Sequence, residues 1–150
     1  MLNNDYKDIL LSLSKRKAKF ILVGAYAMAA HGYPRSTMDI DLCIMPDFEN
    51  ALLVLEALKD FGAPSGNLSP NDFLEKDMVF QIGVAPRRID IITSADGLEF
   101  GNAFSNSETI MIENIPVHVL SVPDLIKNKR STGRTKDLAD AETLEESCQI

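Results

Sequence analysis

Asp39 and Asp41 stand two residues apart in a segment, Met38 to Met45, where apolar residues alternate with them. Ile40, Leu42 and Ile44 fall on one face, and Asp39, Asp41 and Cys43 on the other. Side chains two apart along a strand project the same way about 7 Å apart, so two carboxylates in this arrangement can hold a divalent cation such as Mg²⁺ or Mn²⁺. A third carboxylate on a neighbouring strand would let a second ion share the site. Asp90, in Arg88-Ile89-Asp90-Ile91-Ile92, is the candidate, because Ile89 and Ile91 alternate to the opposite face. Two metals held by three acids can orient phosphates, activate an attacking oxygen and steady a leaving group. The same Asp-Ile-Asp pattern also suits the wet face of an edge strand, and the residue types alone leave both open.

Two further features bear on phosphate chemistry. Gly24 lies between the apolar run Phe20-Ile21-Leu22-Val23 and the helix-favouring stretch Ala25 to Ala30. A glycine at such a junction brings backbone N–H groups and the positive end of a helix toward an anion, although a plain tight turn needs the same residue. Arg35, Ser36 and Thr37, just ahead of the acidic segment, add a guanidinium and two hydroxyls that can reach phosphate oxygens; a surface salt bridge is the other reading of Arg35.

The elements that must position these residues are legible from periodicity. Ile9, Leu10 and Leu13 predict an amphipathic helix over Tyr6 to Arg16, and Phe20 to Val23 a buried strand. Leu52, Leu55, Leu58 and Phe61 predict a helix from Phe48 that Gly62 closes, followed by a loop over Ala63 to Pro70. Met78 to Val84 and Arg88 to Thr93 predict an antiparallel pair, and the runs on either side of Glu113-Asn114 a short hairpin. Ser121, with Pro123 in the first turn and Asp124 three residues on, starts a helix that Gly133 breaks. Thr135 caps a last helix with Leu138, Ala141 and Leu144 inward and Asp140, Glu142, Glu145 and Glu146 outward. The fold class expected is α/β (α+β), a small mixed sheet with flanking helices, in a single domain over residues 1–150.

Composition narrows the setting. The chain is 150 residues long and 45% hydrophobic, enough for a real core. Cys43 and Cys148 form neither a disulfide framework nor a CxxC site, no run is long and apolar enough to span a bilayer, and a cytoplasmic location with no membrane partner is expected. A net charge of -7 argues against a broad nucleic-acid surface. Yet Lys127, Lys129, Arg130, Arg134 and Lys136 fall within one ten-residue stretch, a patch that a solvated helix face or an anion site would each explain. His31 reads as a helix-end residue, His118 as exposed, and Met28, Met38 and Met45 as core. Walker, GxGxxG, HExxH and GxSxG patterns are absent.

The stretch from Val23 to Leu42 resembles the signature of small nucleotidyltransferases of the DNA polymerase beta superfamily. There a Gly-Gly turn and helix lead through an Arg-x-Thr loop into Asp-x-Asp, here Gly24-Ala25, Arg35-Ser36-Thr37 and Asp39-Ile40-Asp41. Asp124-Leu125-Ile126, Lys129, Arg134, Lys136-Asp137-Leu138 and Asp140 resemble the C-terminal pattern of the same small proteins, including relatives of abortive-infection toxins.

This resemblance implies Asp39, Asp41 and Asp90 as metal ligands and catalytic acids, with Mg²⁺ (or Mn²⁺) as cofactor and an NTP as substrate. It places Gly24 and Ala25 at the phosphate turn, Arg35, Ser36 and Thr37 beside it, and Lys129, Arg134 and Lys136 near the nucleotide or acceptor. The acceptor is left open between a small molecule, a protein and a tRNA, and an antitoxin-like protein partner is a further expectation. One departure stands out: Ala25 occupies the place of the second turn glycine, and Tyr26 that of a frequent serine. A catalytically impaired nucleotide-binding or partner-binding module is therefore the alternative reading.

Overall fold

The computed structural model describes residues 2–33, 39–84 and 87–148. Their elements run in the order α1 (Asn4–Lys15), β1 (Phe20–Val23), α2 (Gly24–Ala30), β2 (Ile40–Ile44) and α3 (Phe48–Phe61). After a 3₁₀ turn at Pro70–Phe73 come β3 (Val79–Ile82), β4 (Ile89–Ile92), α4 (Phe100–Asn106), β5 (Glu108–Ile112), β6 (Ile115–Val119), α5 (Val122–Thr132) and α6 (Thr135–Cys148). The six strands form one mixed sheet in the order β3-β4-β2-β1-β6-β5. β2 is antiparallel to β1 and parallel to β4, while β1 is parallel to β6.

Local chemistry sets most boundaries where the sequence predicts them. Asn3, Asp47 and Ser121 each accept a backbone N–H with the side chain at the start of α1, α3 and α5. Gly62 and Gly133 end α3 and α5 in the left-handed conformation that favours glycine. The short helix α4 escapes periodicity reading: Glu99 caps it through Gly101 N and Asn102 N, and only Ala103 is fully buried.

Cross-strand register gives the sheet two unlike faces. Leu22 pairs with Leu42, and Ile40 and Leu42 with Ile89 and Ile91; these residues are buried in the core with Ile9, Leu10 and Leu13 of α1 and Val54 and Leu58 of α3. On the other face Val23 pairs with Asp41, and Asp41 with Asp90. The buried face of α3 is Ala51, Val54, Leu55 and Leu58, whereas Leu52, expected inward, is 43% exposed. His118, expected exposed, is half-buried, 3.1 Å from Ser107 Oγ and packed against Phe104. Met28 is buried, as expected. Among the described residues no helix is long and apolar enough to cross a membrane.

Asn50 is the polar tie of this architecture. Buried in α3, its side chain accepts from Lys19 N at 2.7 Å and donates to Lys19 O at 2.9 Å and Met45 O at 3.0 Å. It thus links the chain entering β1 to the chain leaving β2. Asn50→Ala removes all three part-buried bonds and should lower unfolding free energy by about 1–2 kcal/mol in a urea titration. A loss below about 0.5 kcal/mol would show that water replaces the amide there.

Candidate functional site

The acidic face is built from the starts of two parallel strands. Asp41 lies in β2 with Asp90 of β4 directly beside it, and Asp39 immediately precedes β2. Alternation turns Ile40, Ile89 and Ile91 into the core and leaves the acids facing the opposite way. Asp90 is itself buried.

Gly24 explains its own identity here. It follows an extended Val23, takes φ +71°, and a Cβ on it would stand 2.5 Å from Asp41 Oδ2. Both the left-handed backbone and the close carboxylate exclude a side chain. Ala25 is in the first turn of α2 and is not among the positive-φ residues.

The charge of the acids is partly met by a residue that the sequence reading passed over. Arg88 donates through Nε to Asp90 Oδ1 at 2.7 Å and through Nη2 to Asp90 Oδ2 at 3.1 Å. The same guanidinium lies 3.2 Å from Asp39 Oδ2, and Arg88 N donates to Asp39 Oδ1 at 3.1 Å. Its spacing of two from Asp90 on one strand was the signal available; its reach to Asp39 depends on pairing between β2 and β4. Asp41 is left with the larger burden. Burial first, then the neighbouring Asp90 and Asp39, push its carboxyl up to about 7, against a smaller opposite pull from Arg88.

Across a cavity of about 440 Å³ from Gly24, Ala25 and Asp41 stand Lys129, Arg134 and Lys136. The cavity therefore brings Asp41 together with the basic residues, while Asp39 and Asp90 are not among its lining residues. Lys129 is buried, its Nζ 3.0 Å from Asp140 Oδ2 and 3.4 Å from Asp137 Oδ1. Asp140, expected to face water, is buried in this contact instead. Burial raises the Asp137 carboxyl, but the Thr132 hydroxyl together with Lys129 and Arg134 outweighs it and holds the group below its usual value. Arg134 donates to Asp137 Oδ2 at 2.8 Å, and Arg130 pairs with Glu145 outside the cavity. Arg35, Ser36 and Thr37 lie outside the described residues. His31 is structural: its Nε2 is 2.8 Å from Leu120 O and its Nδ1 3.4 Å from Glu108.

Carboxylate oxygens are the hard donors that Mg²⁺ or Mn²⁺ takes, so Asp39, Asp41 and Asp90 suit such a cation by donor type. Among the described residues no three acid, imidazole or thiol groups are already gathered around one ion position. Arg88 bridges Asp39 and Asp90 in the arrangement present.

Two outcomes follow. Gly24→Ala should destabilise the fold by about 1–3 kcal/mol through strain and contact with Asp41, read by urea unfolding; an unchanged midpoint would mean the turn can reshape. For Asp41 the sign is fixed by its raised value: between 3.8 and about 7 the folded chain keeps a proton the unfolded chain has released. Stability then falls as pH rises through that window. In chelator at pH 7.5, Asp41→Asn should add on the order of 1–2 kcal/mol and flatten that decline. A variant with the wild-type pH slope would contradict the assignment.

No protein-family model matches the chain, and no curated protein does. Solved structures do. One is the crystal structure of a putative nucleotidyltransferase from Thermotoga maritima, which aligns over 99% of this chain and 96% of its own with 18% identity and a TM-score of 0.57. At that identity the likeness speaks for architecture, and the fold of this chain is nucleotidyltransferase-like, a mixed sheet with helices around it.

Proposed function

We propose that this protein is a metal-dependent nucleotidyltransferase that moves a nucleoside monophosphate from an NTP to an acceptor. The observation that carries the reading is Asp41, paired with Asp90 and set against the Gly24 turn, on a cavity that Lys129, Arg134 and Lys136 also line. The resemblance of the Gly24 to Asp41 stretch to the polymerase beta signature points the same way, as does the fold.

Asp39, Asp41 and Asp90 would hold Mg²⁺ or Mn²⁺, which supplies charge neutralisation at the phosphates and a more acidic acceptor hydroxyl. Gly24 keeps the backbone low over Asp41, which leaves room for a polyphosphate beside the turn. Lys136, and Arg134 from its pair with Asp137, would offer cationic contacts to the phosphates, and the buried Lys129 fixes the wall that carries them. Asp90 would accept the acceptor's proton once its ion pair with Arg88 opens. The acceptor oxygen bonds to the α-phosphorus, the bond from that phosphorus to the bridging oxygen breaks, and pyrophosphate leaves with the electron pair.

The Arg88 bridge also favours a second reading, a nucleotide-binding module with impaired turnover, because two of the three acids already have a cationic partner. Titration of Mg²⁺ with each NTP, followed by thermal shift and pyrophosphate release, separates the two. Transfer predicts metal-dependent stabilisation and pyrophosphate from wild type, and neither from Asp39→Ala/Asp41→Ala. Stabilisation without pyrophosphate across a set of small-molecule, protein and tRNA acceptors would favour the binding module. No response to any nucleotide would remove both.

A further inference from the structure

A second cavity, of about 400 Å³, lies beside the first under the same sheet face and shares Val23, Ser94 and Ala95 with it. Ile21 and Cys43 form its floor, and Leu98, Phe100, Ala103 and Leu120 enclose it. Ile21 is opposite Cys43 and Val23 opposite Asp41, so the apolar floor runs directly into the acidic site. One strand repeat, about 7 Å, separates Cys43 from Asp41.

The polar groups of this chamber are largely committed elsewhere. Thr93 Oγ1 accepts from Met78 N at 2.9 Å and donates to Glu75 O at 2.6 Å. Ser94 Oγ accepts from Asp77 N at 3.0 Å and donates to Asp77 Oδ1 at 2.6 Å. The carboxylates of Asp47 and Glu99 cap α3 and α4. Burial pushes the Cys43 thiol up to about 12, which keeps it an uncharged part of the floor. Lys76 is exposed among the lining residues. A nucleobase is read by hydrogen bonds to its edge, and this wall has few left to give. An apolar body suits the chamber, whose volume matches that of pockets for drug-sized ligands.

We propose that the chamber is the acceptor site, and that the acceptor is a small molecule with an apolar, aryl-sized body and a hydroxyl that reaches Asp41 and Asp90. The assignment rests on the nucleotidyl-transfer reading. The acceptor oxygen forms the new bond to the α-phosphorus, pyrophosphate departs with the electrons of the broken bond, and the hydroxyl proton passes to the carboxylate cluster.

The test uses the whole chain and 2-naphthylmethanol as probe. Nuclear Overhauser contacts from the probe to the methyl groups of Leu74 and Leu98 are expected, as is a mass-detected nucleotidyl adduct of the probe with Mg²⁺ and an NTP. Ala103→Leu and Cys43→Met each narrow the chamber and should weaken the probe at least tenfold, with folding checked by the unfolding midpoint. Absence of the methyl contacts in wild type overturns the site even if neither variant folds. Competition between ATP and the probe would identify a nucleobase pocket and overturn the acceptor assignment, and so would nucleotidyl transfer to tRNA with no probe adduct. Failure can be traced: nucleotide turnover without probe contacts refutes the chamber alone, whereas probe contacts with no nucleotide response remove the transfer reading and the acceptor role with it.

Discussion

Like charge is crowded onto one face of the sheet, and the strands that carry it have to be held in register from the other face. Asp41 and Asp90 are neighbours across a parallel strand pair, and Asp39 stands two residues from Asp41. Ionised carboxylates at this spacing repel and lose hydration as they are buried. The fold tolerates them because the opposite face of the same strands is apolar throughout: Leu22, Ile40, Leu42, Ile89 and Ile91 are all inside. A slip of one residue between β2 and β4 would put carboxylates into that core, so hydrophobic register and acid placement are a single specification.

Charge balance around the acids divides into two systems. Arg88 meets Asp39 and Asp90 from the β4 side, while Lys129 meets Asp137 and Asp140 on the helical wall. A buried lysine without a carboxylate would tend to lose its proton, and buried acids without a cation would tend to keep theirs. Lys129, Asp137 and Asp140 therefore join α5 to α6 as one charged unit, and the stretch that reads as a free basic patch is partly internal wiring. Arg134, itself paired with Asp137, and Lys136 stand at the exposed end of that unit, where they line the cavity.

Features set by neighbours in sequence were the legible ones. Alternation around Ile40 marks the acidic strand, and Ser121, Gly62 and Gly133 mark helix ends, whereas Asn3 and Asp47 cap α1 and α3 without having been singled out in the sequence. Features set by distant pairing were not. The reach of Arg88 to Asp39 requires the β2–β4 register, and Asp140 reads as a wet helix residue until Lys129 is known to turn inward beside it. Leu52 had the right spacing for the core, but Ala51 and Val54 take that side of α3, because small and branched residues there let the helix pack closely. Asn50 gave no sign of its role, since three hydrogen bonds to two other segments have no counterpart in local pattern. Membership of Arg35, Ser36 and Thr37 in the site falls outside the described residues.

The turn between β1 and α2 shows how a departure from a motif has to be weighed by position. The signature that the sequence resembles has glycine at both turn positions, and this chain keeps only the first. Gly24 is where the left-handed backbone and the contact with Asp41 fall, so it is the residue for which no substitute fits. Ala25 adopts a helical conformation open to any residue, and its methyl group adds bulk at the cavity without straining the chain. The geometric demand of the turn is thus met, and what differs from the signature is the width of the approach to it. Whether that approach admits a polyphosphate depends on the same balance that governs the acids: a ligand bearing a divalent cation relieves their repulsion, whereas a bare anion would add to it. If the proposed function holds, nucleotide entry and cation entry would be coupled at Asp41 through charge.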